Sequence, residues 1–155
     1  MFVSRVATSN PKVAVLRSLP GLAGVPDREL VPLASLFDEA GVEAGHVLTR
    51  EGASGRELFL VVTGQAEVTL RGDMLATVGP GEFVGEMTIF DGAPRSATVT
   101  AVTPMRLLVA GSQTFGTLLA HPAMVRCLAA TLAARLRATQ GSRRERSTDL
   151  TVAAG

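Results

Sequence analysis

One cysteine, two histidines and no apolar run of membrane-spanning length set the first limits on this 155-residue chain. A bilayer span needs about 20 consecutive apolar residues; the longest apolar runs here have strand length, so a soluble protein is expected. Cys127 has no partner for a disulfide or a thiolate metal cluster, and reads as a small buried hydrophobe. His46 and His121 stand far apart, with no His-x-His pair and no carboxylate in ligand spacing. That argues against a metal-dependent barrel enzyme of the cupin type, which needs clustered histidines. Nucleophilic catalysis has no better footing, because there is no Gly-x-Ser-x-Gly elbow and Cys127 has no evident histidine base. No enzyme, no metal and no cofactor are expected. The first ten residues lack the apolar stretch and small-residue cleavage site of a secretory signal, so the expected location is cytoplasmic. A basic stripe is missing too. Net charge is +1, and the basic residues, all arginine but Lys12, are spread along the chain. The one cluster, Arg143, Arg144 and Arg146, is offset by Glu145 and Asp149, and would give nucleic acid at most weak, salt-sensitive attraction.

What is present falls into three textures. Between Pro11 and Phe37 two short helices are predicted, Val13 to Leu19 and Asp27 to Phe37, the second with Leu30, Leu33, Ala34 and Phe37 spaced at three and four. From Glu39 to Ala110 glycines punctuate short runs rich in Val, Leu and Thr, such as Leu58 to Val62, Ala66 to Leu70 and Ala97 to Val102. Strand-length runs with turn residues every 8 to 12 positions suggest a barrel or jelly roll. After Gly111, Ser112 offers a helix cap and an alanine- and leucine-rich helix is predicted from Pro122 to about Thr139, ended by Gly141. The expected organisation is an N-terminal tail over 1–10, one domain over 11–140 and a polar flexible tail over 141–155.

The stretch Phe83 to Val99 breaks the strand pattern. Gly85 permits a turn and close approach to a ligand, Glu86 to Phe90 suit a single helical turn, Asp91-Gly92 reverse the chain, and Pro94 fixes the approach to Arg95. Ser96 and Ala97 are small enough for their backbone N–H groups to reach an oxygen. One guanidinium, a cluster of backbone donors and one carboxylate acceptor match a singly charged phosphodiester beside a sugar hydroxyl. Taken as a bare pair, Glu86 and Arg95 read first as a surface salt bridge.

The ordered set decides between these readings. Gly85-Glu86 followed by Pro94-Arg95-Ser96-Ala97-Thr98-Val99 resembles the phosphate-binding cassette of the cyclic-nucleotide-binding family, and Gly45 to Leu48, Glu51-Gly52 and Glu57 to Gly64 are similar to that family's first strands and turns. The resemblance spans roughly Leu16 to Thr139 and implies a mainly β fold, an eight-stranded jelly-roll-like β-roll with N-terminal helices and a long C-terminal helix. It implies that Glu86 accepts from the ribose 2′-hydroxyl and Arg95 pairs with the cyclic phosphate. Backbone groups of Gly85, Met87, Ser96 and Ala97 complete the cradle. Ser96, rather than threonine, leans towards cyclic AMP over cyclic GMP. Thr88 departs from the small residue usual there, without touching the phosphate chemistry.

On the long helix, Thr131, Arg135 and Thr139 share one face, and Val125, Ala129, Leu132 and Leu136 line another. In this family the equivalent helix covers the purine and responds to ligand, so Thr131 or Arg135 is expected to contact the base. The apolar face suits either pairing with its twin in a homodimer or packing on its own β-roll; an effector protein docking on the helix is the third option. Only sixteen residues follow Thr139, too few for the helix-turn-helix domain of the family's transcription factors, so no specific DNA binding is expected. The expected function is a cyclic-nucleotide sensor whose C-terminal helix moves on binding. The alternatives are a ligand-independent interaction protein that keeps the fold, or a truncated relative of the transcription regulators.

Overall fold

The computed structural model describes residues 10–154; in the last helix the side chains of 139 and of 141 onward lie outside that description. The tail expected over 1–10 is therefore outside the described residues except for Asn10. Helix α1, Pro11–Arg17, starts where the sequence supplies a cap: Asn10 Oδ1 accepts from the Lys12 N–H at 3.0 Å, and Pro11 takes a first-turn position where its missing N–H is harmless. It buries Val13 and Leu16. Helix α2, Asp27–Ala34, follows Pro26, carries Asp27 and Glu29 in its positive first turn and buries Leu30, Leu33 and Ala34. It stops short of Phe37, which is fully buried just beyond the helix end.

Eight strands follow: β1 Asp38–Val42, β2 Val47–Thr49, β3 Glu57–Thr63, β4 Ala66–Leu70, β5 Asp73–Val78, β6 Phe83–Val84, β7 Thr98–Ala101 and β8 Met105–Gly111. They form two antiparallel four-stranded sheets, ordered β1-β8-β3-β6 and β2-β7-β4-β5, which is the eight-stranded β-roll that the family resemblance implies and with which the barrel or jelly roll suggested by the glycine rhythm agrees. Strand β3 explains why the run Leu58 to Val61 is apolar without alternation. Successive side chains point to opposite faces. Phe59 and Val61 enter the interior of the roll with Val84, Val99 and Leu107, while Leu58 and Leu60 face the helices with Phe83, Leu108 and Ala110. Burial on both sides of one sheet thus builds two cores. The β4–β5 hairpin turns through Arg71 (φ 53°) and Gly72 (φ 85°), the positive pair that a tight two-residue turn requires. Glu51 steadies that turn by accepting from the Arg71 N–H at 3.0 Å.

A 3₁₀ turn at Ser112–Thr114 leads into α4, Phe115–Leu119, and then α5, Pro122–Ala154. One expectation is corrected here, and one of the alternatives for the apolar stripe is disfavoured. The long helix does not end at Gly141 but continues to Ala154. One interior glycine costs a helix only about 1 kcal/mol, and the arginines, glutamate, leucine and alanines that follow favour helix. The face of α5 that packs on the protein is also not the stripe singled out by spacing. Ala123, Met124, Cys127 and Leu128 are buried, one helical step round from Val125, Ala129, Leu132 and Leu136, of which Leu136 is 61% exposed. Among the described residues no single helix is long and apolar enough to cross a membrane.

Candidate functional site

The site is set where β6 gives way to a short helix, α3, over Glu86–Asp91. Gly85 makes that change with φ 90°, a conformation that strains any residue carrying a Cβ. Beyond α3 the chain reverses as the Asp91-Gly92 pair predicts: Gly92 adopts φ 66° and its N–H donates to Thr88 O, and Asp91 Oδ1 accepts from the Ala93 N–H at 2.9 Å. Thr88 adds a longer bond from its hydroxyl to Ala93 O, which ties the helix to the loop it departs into.

Arg95 follows, and its main chain is held on both sides by the loop between β2 and β3. Its N–H donates to Ala53 O and its carbonyl accepts from the Gly52 N–H, both at 2.8 Å. The side chain then runs inward and is only 8% exposed. Nη2 donates to Glu57 O at 2.7 Å and Nη1 to Gly85 O at 3.4 Å. Burial lowers the guanidinium's pKa, and the charges of Glu57 and Glu86 draw it back up. The cation is thus bound mainly by neutral carbonyls, and its charge is available to an anion.

Glu86 is 1% exposed. Its partner is Arg135 of α5, whose Nη1 donates to Oε1 while Nη2 donates to Phe83 O. A bare surface pair of Glu86 with Arg95 is therefore not what forms: both side chains are buried, and the ion pair joins the cassette to the C-terminal helix. Oε2 has no hydrogen-bond partner among the described residues, although buried polar atoms are almost always paired. Burial raises the Glu86 pKa, opposed first by the Arg135 charge.

Glu86, Arg95 and Arg135 line one cavity of about 80 Å³, together with Gly85, Met87, Ser96 and Ala97. All six primary expected ligand residues, Gly85, Glu86, Met87, Arg95, Ser96 and Ala97, thus face a common space. Its other walls, Val68, Val78, Val84 and Val99, are apolar and suit an aromatic base. Two arginines against one carboxylate leave a net positive charge of about one, which a single phosphodiester anion neutralises. A larger cleft of about 190 Å³ lies between α1 and strands β1 and β8, but its ammonium, Lys12 Nζ, is already bonded to Phe37 O at 2.8 Å. Volume does not select the site; converging chemistry does.

The two residues expected on the long helix, Arg135 and Thr131, differ in their surroundings. Arg135 lines the cavity, yet its guanidinium is engaged with Glu86 and Phe83 rather than laid on open space for a purine. Thr131 turns its hydroxyl back to Cys127 O at 3.0 Å within its own helix. Thr139, on the same predicted face, lies outside the described side chains. Sequence reasoning missed Thr49, which lines the cavity, is 6% exposed and donates to Ala97 O at 3.0 Å. Its β-strand context gave no hint of that reach. Thr49→Val is expected to reduce stability by about 1 kcal/mol, read by chemical denaturation, because the Ala97 carbonyl loses its partner. Among the described residues no three His, Cys, Asp or Glu side chains group as a metal site.

Comparison with known proteins places this geometry in a family. The cAMP-dependent protein kinase regulatory subunit of Yarrowia lipolytica is 35% identical over 106 residues, 67% of this chain and 28% of the relative. The chain therefore matches under a third of that relative's length. The crystal structure of Thermus thermophilus catabolite activator protein superposes with a TM-score of 0.70 at 30% identity, over 83% of this chain and 63% of that one. The regulatory domain of Toxoplasma gondii PKA, solved with cAMP, gives 0.61 at 30% identity, over 68% and 42%. The two solved structures thus share this chain's fold. The profile of the cyclic nucleotide-binding domain matches residues 40–121, and this chain belongs to that family.

Proposed function

We propose that this protein is a non-catalytic cytoplasmic sensor of cyclic AMP that passes ligand binding to its C-terminal helix. The observation that carries this reading is the presence of two buried groups of opposite charge on one cavity: Arg95, whose guanidinium hydrogen-bonds to the carbonyls of Glu57 and Gly85, and Glu86, whose Oε2 has no hydrogen-bond partner among the described residues. The first suits a cyclic phosphate, the second a ribose 2′-hydroxyl donor. Ser96 and the cAMP-bound or cAMP-dependent relatives favour adenine over guanine. Support for helix movement comes from Arg135, because a ligand that engages Glu86 acts on the carboxylate that holds α5. The partly exposed stripe that includes Leu136 is then the surface offered to a second copy or to an effector protein. No metal, cofactor or specific DNA contact enters the reading.

Calorimetric titration with cyclic AMP and cyclic GMP tests it. Dissociation constants on the order of micromolar or tighter, with cyclic AMP ahead, are expected. No heat with either nucleotide from folded protein would leave the cassette as architecture only and favour a ligand-independent interaction protein.

A further inference from the structure

Gly55 sits in the loop between β2 and β3, and the usual reason for a turn glycine, a positive φ, does not apply there. Gly52, three residues earlier, has φ 80° and nothing within 4 Å of where a Cβ would stand, so its glycine serves the turn. Gly55 lies outside the left-handed region, and the backbone would accept any residue. What a Cβ would meet is Arg95: Nε and Cζ in direct overlap, and Cδ at 2.7 Å. On the opposite side, a Cβ at Gly85 would overlap Nη1 of the same guanidinium and come within 2.9 Å of Glu57 O. The guanidinium therefore passes between two bare backbones, and the same loop grips the Arg95 main chain through Ala53 O and the Gly52 N–H.

We infer that the β2–β3 loop is a sleeve for Arg95, and that Gly55 is a positioning residue for cyclic-phosphate recognition because its missing side chain leaves the guanidinium its path. This rests on the reading of Arg95 as the phosphate-binding cation. Its consequence is specific. The atoms that a new methyl group meets are the middle of a flexible side chain, so the chain can yield without moving its backbone, but only by displacing the guanidinium. Stability and recognition should then separate, since a guanidinium moved off its anion forfeits much of a buried charged contact while the rest of the fold stays in place.

The test measures cyclic AMP affinity and thermal midpoint for Gly55→Ala, Arg95→Ala, their double variant and Ser54→Ala as a control on the same loop. Expected is a loss of about tenfold or more for Gly55→Ala, up to that of Arg95→Ala, with little change in midpoint, none for Ser54→Ala, and a double variant no weaker than Arg95→Ala alone. Gly55→Ala binding like wild type while Arg95→Ala loses affinity overturns the sleeve and spares the reading of Arg95. Arg95→Ala binding like wild type overturns that reading, and the sleeve's role in recognition with it. Should Gly55→Ala not fold, the double variant decides. Truncating Arg95 gives the methyl group room, so recovered folding supports the sleeve, and a double variant that also fails overturns it.

Discussion

Arg95→Ala is expected to lower the affinity for cyclic AMP by about thirty-fold to several thousand-fold, the equivalent of roughly 2–5 kcal/mol. The size follows from where the charge sits. The guanidinium is buried, and its hydrogen bonds run to the carbonyls of Glu57 and Gly85, so a phosphodiester would meet it in a water-poor setting with no side-chain carboxylate hydrogen-bonded to it among the described residues. The same substitution should disturb the ligand-free protein far less. Truncation leaves two carbonyls short of a donor but also relieves the burial of a cation, and these opposing effects leave a net change of about 1 kcal/mol. Thermal denaturation separates the two consequences. Ligand at a hundred times its dissociation constant stabilises a protein by about 2.7 kcal/mol; wild type should show that shift and the variant almost none. Arg95→Lys should fall between them, because an ammonium keeps the charge but not the planar fork that reaches both carbonyls. An undiminished shift in Arg95→Ala would remove Arg95 from the phosphate site.

The sequence exposes Arg95 and Glu86 because local order carries them: turn glycines, a proline and small residues fall at fixed offsets within one short segment. A barrel or jelly roll is legible for the same reason, since strand-length runs and turns repeat along the chain, and the resemblance narrows it to the β-roll. Partners that meet across the fold are another matter. Arg135 is 49 residues from Glu86, and Glu57 O is 38 residues from Arg95; no local pattern announces either contact. The α5 face shows how spacing misleads when two faces are both apolar enough. The stripe Val125, Ala129, Leu132 and Leu136 looks as good a seam as Met124, Cys127 and Leu128, and only the position of the sheet decides which is buried. Gly55 lies at the far end of this range: among many turn glycines in the β region, nothing in sequence marks the one whose purpose is a distant arginine.

Arg135→Met should reveal how strongly Glu86 depends on α5, and the dependence should follow pH. Burial raises the Glu86 pKa, while the Arg135 charge and hydrogen bond act against that rise. A carboxyl whose pKa is higher folded than unfolded binds its proton more tightly in the native state. The folding penalty of its charged form is therefore fully present above the folded pKa and is relieved as pH falls through it. Without Arg135 the folded pKa rises further, the penalty grows, and its relief begins at higher pH. Because the Arg135 side chain is 37% exposed, solvent softens the loss. The expected destabilisation is about 1–3 kcal/mol at pH 8, below the full value for breaking a deeply buried pair, and it should shrink at pH 5. Cyclic AMP affinity should fall with acidity in both proteins, since an ionised Glu86 is the better acceptor for a ribose hydroxyl, and the fall should begin at higher pH in Arg135→Met. Glu86→Gln supplies the decisive comparison. Its neutral amide keeps the shape without the titration, so adding it to Arg135→Met should recover much of the stability at pH 8 and flatten the pH dependence. Chemical denaturation at the two pH values reads both effects. An equal loss at pH 5 and pH 8, untouched by Glu86→Gln, would mean that Arg135 holds α5 through the Phe83 carbonyl and packing alone, and that ligand contact at Glu86 has no electrostatic route into the helix.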